Sequence, residues 1–205
     1  MNESVIGTRQ VTKSYGSLQA LNQVSIHVKQ GEIYGLIGDN GAGKTTLLKA
    51  LAGLIWPDSG EIRLFGQHGE KRLEQCRRQM GTMIESSGFF PSLTVETNLE
   101  YYRILKGIPG RKKTAEILRL TGMWEHRKKK GRELSMGMKQ RLGLAIAMIG
   151  EPRLLLLDEP INGLDPSGMI AFRNLLRRLN EERNITIVQK KRGSEKRCGF
   201  RHLPG

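Results

Sequence analysis

The sequence predicts an α/β fold built around a largely parallel β-sheet, with a helical lobe inserted into it. Strand patterns alternate with helix patterns over residues 24–65 and again over 153–188, as is typical of parallel sheets. Between these regions, residues 86–150 show helix and loop patterns without a convincing strand. A glycine-rich turn at residues 38–45 separates a strand from a helix, and α/β proteins bind their ligands at such strand ends.

The elements of the first half follow from local patterns. Residues 24–28 carry apolar side chains at every second position, which is the period of a half-buried strand. Residues 44–54 are rich in Leu and Ala and stop shortly before Pro57, which suits a helix ended by proline. Ser59 and Gly60 give a turn signal. The predicted elements are strands at 24–28 and 32–37, a helix at 44–54, and strands at 61–65 and 81–84.

The second half returns to strand and helix patterns after the helical lobe. Residues 153–157 form a continuous apolar run, which is typical of a strand covered on both faces, so we expect this strand to be central. Asp165 and Pro166 provide a cap and a first-turn residue for a helix. Apolar residues at helical spacing continue this helix to Leu179, and a final strand begins at Ile185.

Length and composition limit the classes of protein that this chain can be. Its 205 residues fit one domain with a small insertion, and its hydrophobic (38%) and charged (26%) fractions are ordinary for a globular protein. No apolar stretch approaches the roughly 18 to 20 residues of a transmembrane helix, and residues 1–10 lack a signal-peptide pattern. Cys76 and Cys198 are too few for a disulfide framework or a cysteine-rich zinc site. We therefore expect a cytoplasmic protein.

The net charge of +14 usually indicates an anionic partner. Residues 189–205 hold six Lys or Arg and one Glu, which is a net +5 of that total. The other dense basic runs, at 111–113 and 127–132, are not interleaved with aromatic residues as a surface for single-stranded nucleic acid would be. We therefore do not expect nucleic acid as the main partner, and nucleotide phosphates or an anionic membrane face remain.

The first chemical motif is a phosphate loop of the form G-x-x-x-x-G-K-[ST]. Its glycines let backbone N–H groups surround phosphate oxygens, and the following helix offers its positive N-terminus to the same anion. Lys44 is expected to neutralise the outer phosphates, and the Thr45 hydroxyl to complete a Mg²⁺ shell. A chance glycine-rich turn is the alternative, against which the flanking strand and helix argue. The motif predicts a P-loop NTPase core, and its expected nucleotide-binding residues are Gly38, Asp39, Asn40, Gly41, Ala42, Gly43, Lys44, Thr45 and Thr46.

The second motif is the acidic pair Asp158 and Glu159 at the end of the apolar strand. An aspartate at the tip of a buried strand beside a phosphate loop can hold Mg²⁺, directly or through water. The next residue points in another direction and can act on the attacking water. We therefore expect Asp158 to be a metal ligand and Glu159 to be the catalytic residue, the alternative being a solvated strand end.

The third motif is LSMGMKQR at residues 134–141. Ser135 and Gly137 at the start of a helix present a hydroxyl and free N–H groups, which make a second phosphate-binding terminus. Here the sequence resembles the ABC transporter ATPases: 134–141 resembles their signature, 38–45 their Walker A loop, 154–159 their Walker B strand and 162–166 their D-loop. The motifs occur in the family's order and spacing over residues 1–188, which implies an ABC-type ATP-binding domain with an N-terminal antiparallel β part.

The resemblance implies a site shared between two domains. In the family, two ATPase domains face head to tail, and each ATP lies between the Walker A loop of one and the signature of the other. The implied signature contacts are Ser135, Gly137 and Met138. Tyr15 matches the aromatic residue that stacks on adenine, unless it is an ordinary strand-edge tyrosine. Glu85 stands where most members have a glutamine that senses Mg²⁺ and touches the membrane subunits, so it is an implied but altered metal ligand.

The resemblance also implies cofactors, partners and a location. ATP and Mg²⁺ are the expected cofactors. The expected partners are a second ATPase domain, identical or closely related, and a separate transmembrane permease, which would hold the chain at the inner face of the cell membrane. Residues 83–98 are similar to exporters of the bacitracin and lantibiotic-immunity type, and so imply peptide antibiotic or multidrug export. A DNA-associated ATPase is less favoured, because such members carry long coiled coils in the lobe.

Besides Glu85, the chain departs from the family pattern in two places. In the signature, Met136 replaces a glycine and Met138 replaces a glutamine, while the serine and the second glycine remain. After residue 188 the family continues to a histidine that contacts the γ-phosphate, whereas residues 189–205 form a basic tail without an apolar period, and His202 has no matching context. A frameshifted reading, a shortened natural variant and a tail added for expression are all open explanations. A lipid-binding tail is the functional alternative.

Two functions therefore remain open at this point. The first is an ATP-hydrolysing subunit that powers a separate permease. The second is a nucleotide-binding subunit whose hydrolysis is impaired because the expected histidine is missing, and which would accumulate as a slowly turning over dimer.

Overall fold

The computed structural model describes residues 4–85 and 88–190, which contain two β-sheets and six α-helices. The strands are β1 (Ser4–Tyr15), β2 (Leu18–Val24), β3 (His27–Lys29), β4 (Ile33–Leu36), β5 (Ser59–Leu64), β6 (Met80–Met83), β7 (Leu154–Asp158) and β8 (Thr186–Lys190). The helices are α1 (Lys44–Ala52), α2 (Glu70–Arg77), α3 (Val95–Leu105), α4 (Lys112–Leu120), α5 (Met136–Met148) and α6 (Pro166–Arg183). The predicted α/β class is confirmed.

The first sheet is the antiparallel β part, in which the long strand β1 pairs with β2, β3 and β5. The prediction of one strand over residues 24–28 is wrong, because β2 ends at Val24 and β3 begins at His27. The two strands pair with different parts of β1, and the Thr8 hydroxyl bridges the gap. It donates to the Val24 carbonyl at 3.1 Å and accepts from the Ile26 N–H at 2.8 Å.

The second sheet is fully parallel and has the strand order β4-β8-β7-β6. The four leucines of β7 alternate between its two faces. Leu154 and Leu156 belong to the core cluster that includes α1, while Leu155 and Leu157 belong to the cluster that includes α5 and α6. All four are fully buried, as the continuous apolar run predicts for a central strand.

Several predicted boundaries differ from the structure. The helix α1 ends at Ala52 because Gly53 adopts a left-handed cap, so Pro57 is not what stops it. Ser59 belongs to strand β5, where it pairs with Thr12 of β1, and is not a turn residue. Strand β8 continues to Lys190, two residues beyond the predicted end. The structure of residues 191–205, including His202, lies outside the described residues.

The helical lobe is confirmed between the two β regions, since residues 88–150 contain helices, two short 3₁₀ turns and one isolated β-bridge, but no strand. Its entry loop is fixed by Asn98, whose fully buried side chain accepts from the Phe90 N–H at 2.7 Å. The same amide donates to the carbonyls of Phe90, Leu93 and Thr94 at 2.9–3.2 Å. No helix in the described ranges is long and apolar enough to cross a bilayer.

Candidate nucleotide-binding site

The phosphate loop connects β4 to α1, which begins at Lys44 as predicted. Gly43 precedes the helix with φ 73° and its N–H donates to the Gly41 carbonyl at 2.7 Å. A Cβ on Gly43 would lie 1.9 Å from the carbonyl oxygen of Ala20 in β2, a distance that no real Cβ adopts. Glycine is therefore required here by both backbone conformation and space.

Lys44 closes this loop from inside. Its side chain is only 3% exposed, and Nζ donates to the carbonyls of Gly38 at 2.6 Å and Asp39 at 2.5 Å. Burial lowers the pKa of Lys44 from its ordinary value, and the nearby ammonium group of Lys190 lowers it further. The lysine is thus held inside a glycine-rich loop that leads into the N-terminus of α1, an arrangement that suits an anion.

The acidic pair lies beside the loop because parallel strands end at the same edge of the sheet. Thr45 Oγ1 donates to Asp158 Oδ2 at 2.9 Å, which joins the first turn of α1 to the end of β7. Glu159 follows in a left-handed conformation with φ 47°, and its side chain is 18% exposed. The structure therefore brings together Lys44, Thr45, Asp158 and Glu159, which the sequence predicted to act together.

Lys190 is a site residue that sequence reasoning missed. At the end of β8 it pairs with Leu36 on one side and Asp158 on the other. Its Nζ donates to Thr45 Oγ1 at 2.8 Å and lies 3.0 Å from both Asp158 Oδ1 and Glu159 Oε1. Burial acts to lower the pKa of Lys190, but its contacts with the two carboxylates outweigh burial and raise it. By composition Lys190 belongs to the basic tail, whereas the parallel register of β8 against β7 places it beside Asp158.

The oxygen atoms at this edge fit Mg²⁺. Asp158 Oδ1 is buried and, within residues 4–85 and 88–190, it has Lys190 as a charge partner but accepts no hydrogen bond of good geometry. No three His, Cys, Asp or Glu side chains converge on a metal site in those same ranges. A hydroxyl and one or two carboxylates, completed by phosphate oxygens and water, are what Mg²⁺ prefers over an all-protein cage.

A cavity of about 270 Å³ adjoins the loop. Tyr15, Leu18 and Ala20 line its apolar side, and the phosphate loop and Lys190 line the rest. Tyr15 stands at the end of β1 with 48% of its surface exposed. An exposed ring beside the loop is compatible with adenine stacking and with an ordinary strand-edge tyrosine, so the predicted role of Tyr15 stays a prediction.

The signature residues lie at the start of α5 and do not line this cavity. Ser135 is the N-cap, and its hydroxyl accepts from the Met138 N–H at 3.3 Å. A Cβ on Gly137 would meet Leu164 at 3.7 Å, and Met136 is 50% exposed. The predicted contacts of Ser135, Gly137 and Met138 with the nucleotide of a facing domain stay a prediction.

Glu85 follows β6 with φ 64°. Its Oε1 lies 2.5 Å from Lys49 Nζ on α1, and its side chain is 63% exposed. The contact with Lys49 directs the carboxylate to the flank of α1, whereas Thr45 and Asp158 meet at the N-terminal end of that helix. Its predicted role as a metal ligand stays a prediction.

Comparison with known proteins assigns the family. The model of the family described as "ABC transporter" matches residues 21–162. Bacitracin transport ATP-binding protein BcrA of Bacillus licheniformis is 45% identical over 184 residues, which cover 90% of this chain and 60% of BcrA. Lantibiotic transport ATP-binding protein SrtF of Streptococcus pyogenes is 37% identical over 176 residues, covering 86% of this chain and 75% of SrtF. The chain thus spans about 60% of the length of BcrA, and three quarters of SrtF.

Solved structures agree with this assignment. The cbiO1 subunit from Clostridium perfringens, part of an ABC transporter complex, superposes with a TM-score of 0.84 at 27% identity, over 93% of this chain and 79% of cbiO1. The ATP-binding cassette MJ0796, in a dimeric post-hydrolysis state bound to ADP and Pi, gives a TM-score of 0.80 at 29% identity, over 91% of this chain and 87% of that cassette. The resemblance inferred from the motifs is confirmed, and the chain belongs to the family of ABC transporter ATP-binding domains.

Proposed function

We propose that the chain binds ATP with Mg²⁺, hydrolyses it, and thereby powers a separate membrane permease. The observation that carries this proposal is the meeting of Thr45, Asp158 and Glu159 at one sheet edge, directly beside the loop that Lys44 closes. BcrA is a bacitracin transport protein and SrtF a lantibiotic transport protein, which supports a transport role, and we propose that the transport is export of peptide antibiotics or other drugs.

The loop supplies the contacts for the ATP phosphates. Its backbone N–H groups and the N-terminus of α1 favour an anion, and Lys44 adds a positive charge at the β- and γ-phosphates. Lys44 must exchange the carbonyls of Gly38 and Asp39 for phosphate oxygens, which are stronger acceptors because they are charged. Tyr15 and Leu18, which also line the cavity, offer the adenine an apolar surface.

Thr45 and Asp158 would hold Mg²⁺. When bound, the metal would neutralise the negative charge that develops during transfer of the phosphoryl group. Glu159 is our candidate for positioning the attacking water. Its side chain is 18% exposed, and its Oε1 lies 3.0 Å from the same Lys190 Nζ that Asp158 Oδ1 contacts. A carboxylate there accepts a hydrogen bond from water and orients the water's oxygen towards phosphorus.

A second copy is expected to complete the site. The first turn of α5 is exposed at Met136, carries no acidic residue, and has free N–H groups near Ser135 and Gly137. These features suit a phosphate that belongs to the facing domain. We therefore propose a head-to-tail dimer with an identical or closely related chain.

An exposed apolar face supports contact with a permease. On α3, Tyr101, Ile104 and Leu105 are 45%, 66% and 67% exposed, and Ile104 and Leu105 follow Tyr101 by three and four residues, which places them on its side of the helix. This face is in the helical lobe, which the family moves relative to the rest of the domain. We propose that it contributes to docking, and that the chain acts at the cytoplasmic face of the membrane.

A subunit with impaired hydrolysis is the second candidate. Two observations favour it. The histidines within the described ranges, His27, His68 and His126, are not among the residues that line the cavity. Lys190 also contacts Glu159, the residue proposed to position water.

The experiment compares ATP binding and phosphate release in the wild type, Glu159→Gln and Glu182→Gln. Glu182 is an exposed glutamate near the end of α6 and serves as a matched control. We expect Glu159→Gln to bind ATP as the wild type does but to lose at least about 100-fold in hydrolysis rate, as for a lost general base. Glu182→Gln should behave as the wild type. Equal turnover in all three proteins would move the catalytic role away from Glu159, and wild-type binding without turnover would favour the second candidate.

A further inference from the structure

The feature of the site that the proposed mechanism does not use is the ammonium group of Lys190. Its Nζ donates to Thr45 Oγ1 at 2.8 Å and lies 3.0 Å from Asp158 Oδ1 and 3.0 Å from Glu159 Oε1. These oxygens belong to the residues that we assign to Mg²⁺ and to the attacking water. The side chains of Lys190, Asp158 and Glu159 are only 17%, 8% and 18% exposed, so water screens these charges far less than on an open surface.

The backbone fixes the lysine at this place. Strand β8 lies between β4, which leads into the phosphate loop, and β7, which ends in the acidic pair. Lys190 is in register with Leu36 on one side and with Asp158 on the other. Every conformation of its side chain therefore starts from the sheet edge where the phosphates and the metal are expected.

The ammonium group of Lys190 supplies positive charge at this edge without a metal ion, because it lies 3.0 Å from a carboxylate oxygen of both Asp158 and Glu159. An ammonium group among these oxygens repels a divalent cation and occupies the acceptors that such a cation needs. Lys190 also lines the cavity, so its ammonium can donate charge-assisted hydrogen bonds to phosphate oxygens.

We propose that Lys190 is an internal cation that competes with Mg²⁺ for the oxygens of Thr45, Asp158 and Glu159, so that the chain binds ATP with nearly equal affinity with and without the metal. The inference rests on the proposed nucleotide site. Lys190 is a binding and positioning residue in this account. Lys190 also occupies Oε1 of Glu159, one of the two carboxylate oxygens that can accept a hydrogen bond from the attacking water, and so slows hydrolysis.

The test measures the dissociation constant of a non-hydrolysable ATP analogue by calorimetry, once in EDTA and once in Mg²⁺. We expect the two constants of the wild type to agree within about threefold. In Lys190→Met, which keeps the length of the side chain but removes its charge, we expect binding in EDTA to become at least about tenfold weaker than binding in Mg²⁺. The control is Lys71→Met, an exposed lysine of α2, which should keep the wild-type ratio.

The outcomes separate this inference from the proposed function. A wild-type protein that binds at least about tenfold more tightly in Mg²⁺ than in EDTA overturns the inference, whether or not Lys190→Met folds. A wild-type ratio near one that Lys190→Met leaves unchanged also overturns it, because another group must then supply the charge. Binding of the analogue in neither condition contradicts the nucleotide site itself, and the inference with it.

Discussion

Replacing Gly43 with alanine should destabilise the protein more than the same replacement at Gly41, although both belong to the phosphate loop. Both residues adopt a left-handed backbone conformation, with φ 73° at Gly43 and 90° at Gly41. An alanine in that conformation costs about 1–2 kcal/mol at either position. The two sites differ in the space that surrounds the new methyl group.

The methyl group meets no atom within 4 Å at Gly41. At Gly43 it would lie 1.9 Å from the Ala20 carbonyl oxygen and 2.9 Å from Leu21 Cδ2, so the β2 backbone or the start of α1 must move. Overpacking of this kind adds about 1–3 kcal/mol. We therefore expect a total loss of about 1–2 kcal/mol for Gly41→Ala and of about 2–5 kcal/mol for Gly43→Ala.

The assay is urea unfolding of the nucleotide-free protein, followed by circular dichroism, with both variants and the wild type under the same conditions. Because Ala20 also lines the cavity, the movement that relieves the clash should weaken ATP binding by Gly43→Ala as well. If the free energies of unfolding of the two variants agree within about 0.5 kcal/mol, the close approach of β2 does not restrict the size of the side chain at position 43, and the reasoning is wrong.

Two further variants test other parts of the fold and site. Tyr15→Ala should weaken ATP binding by about five- to tenfold, as expected for the loss of one aromatic contact, while Tyr15→Phe should bind as the wild type does. Equal losses of affinity in the two variants would show that the aromatic ring does not contribute to binding. Asn98→Leu leaves the Phe90 N–H without its acceptor, whereas the carbonyls of Phe90, Leu93 and Thr94 each keep a backbone donor. We therefore expect a loss of about 1–3 kcal/mol in the free energy of unfolding, and unchanged stability would contradict this account of the entry loop.

The parts of the fold that the sequence predicts are those encoded in short stretches of chain. The four leucines of β7 can be covered on both faces only in a central strand, and the structure has them there. The phosphate loop is likewise predictable because its glycines, its lysine and the start of the following helix all lie within residues 38–45. Strand β1 and helix α2 were not predicted as elements: β1 has polar residues on its open side, and α2 buries only Leu73 and Cys76.

Contacts between distant residues explain what could not be predicted in the site. The break between β2 and β3 depends on Thr8, which is 16 to 18 residues away along the chain. Lys190 belongs to a basic run by composition, but the register of β8 against β7 places it beside Asp158. Glu85 meets Lys49 across the side of α1, a contact that no local pattern indicates.

The most direct measurement of the central claim is equilibrium binding of ATP to the wild type, to Lys44→Ala and to Lys71→Ala. Lys44 is the buried lysine that closes the phosphate loop, and Lys71 is an exposed lysine of α2. The account predicts that Lys44→Ala loses at least about tenfold in affinity, about 1.4 kcal/mol, while Lys71→Ala binds as the wild type does. Binding by Lys44→Ala within about threefold of the wild type would contradict the assignment of this loop as the ATP site.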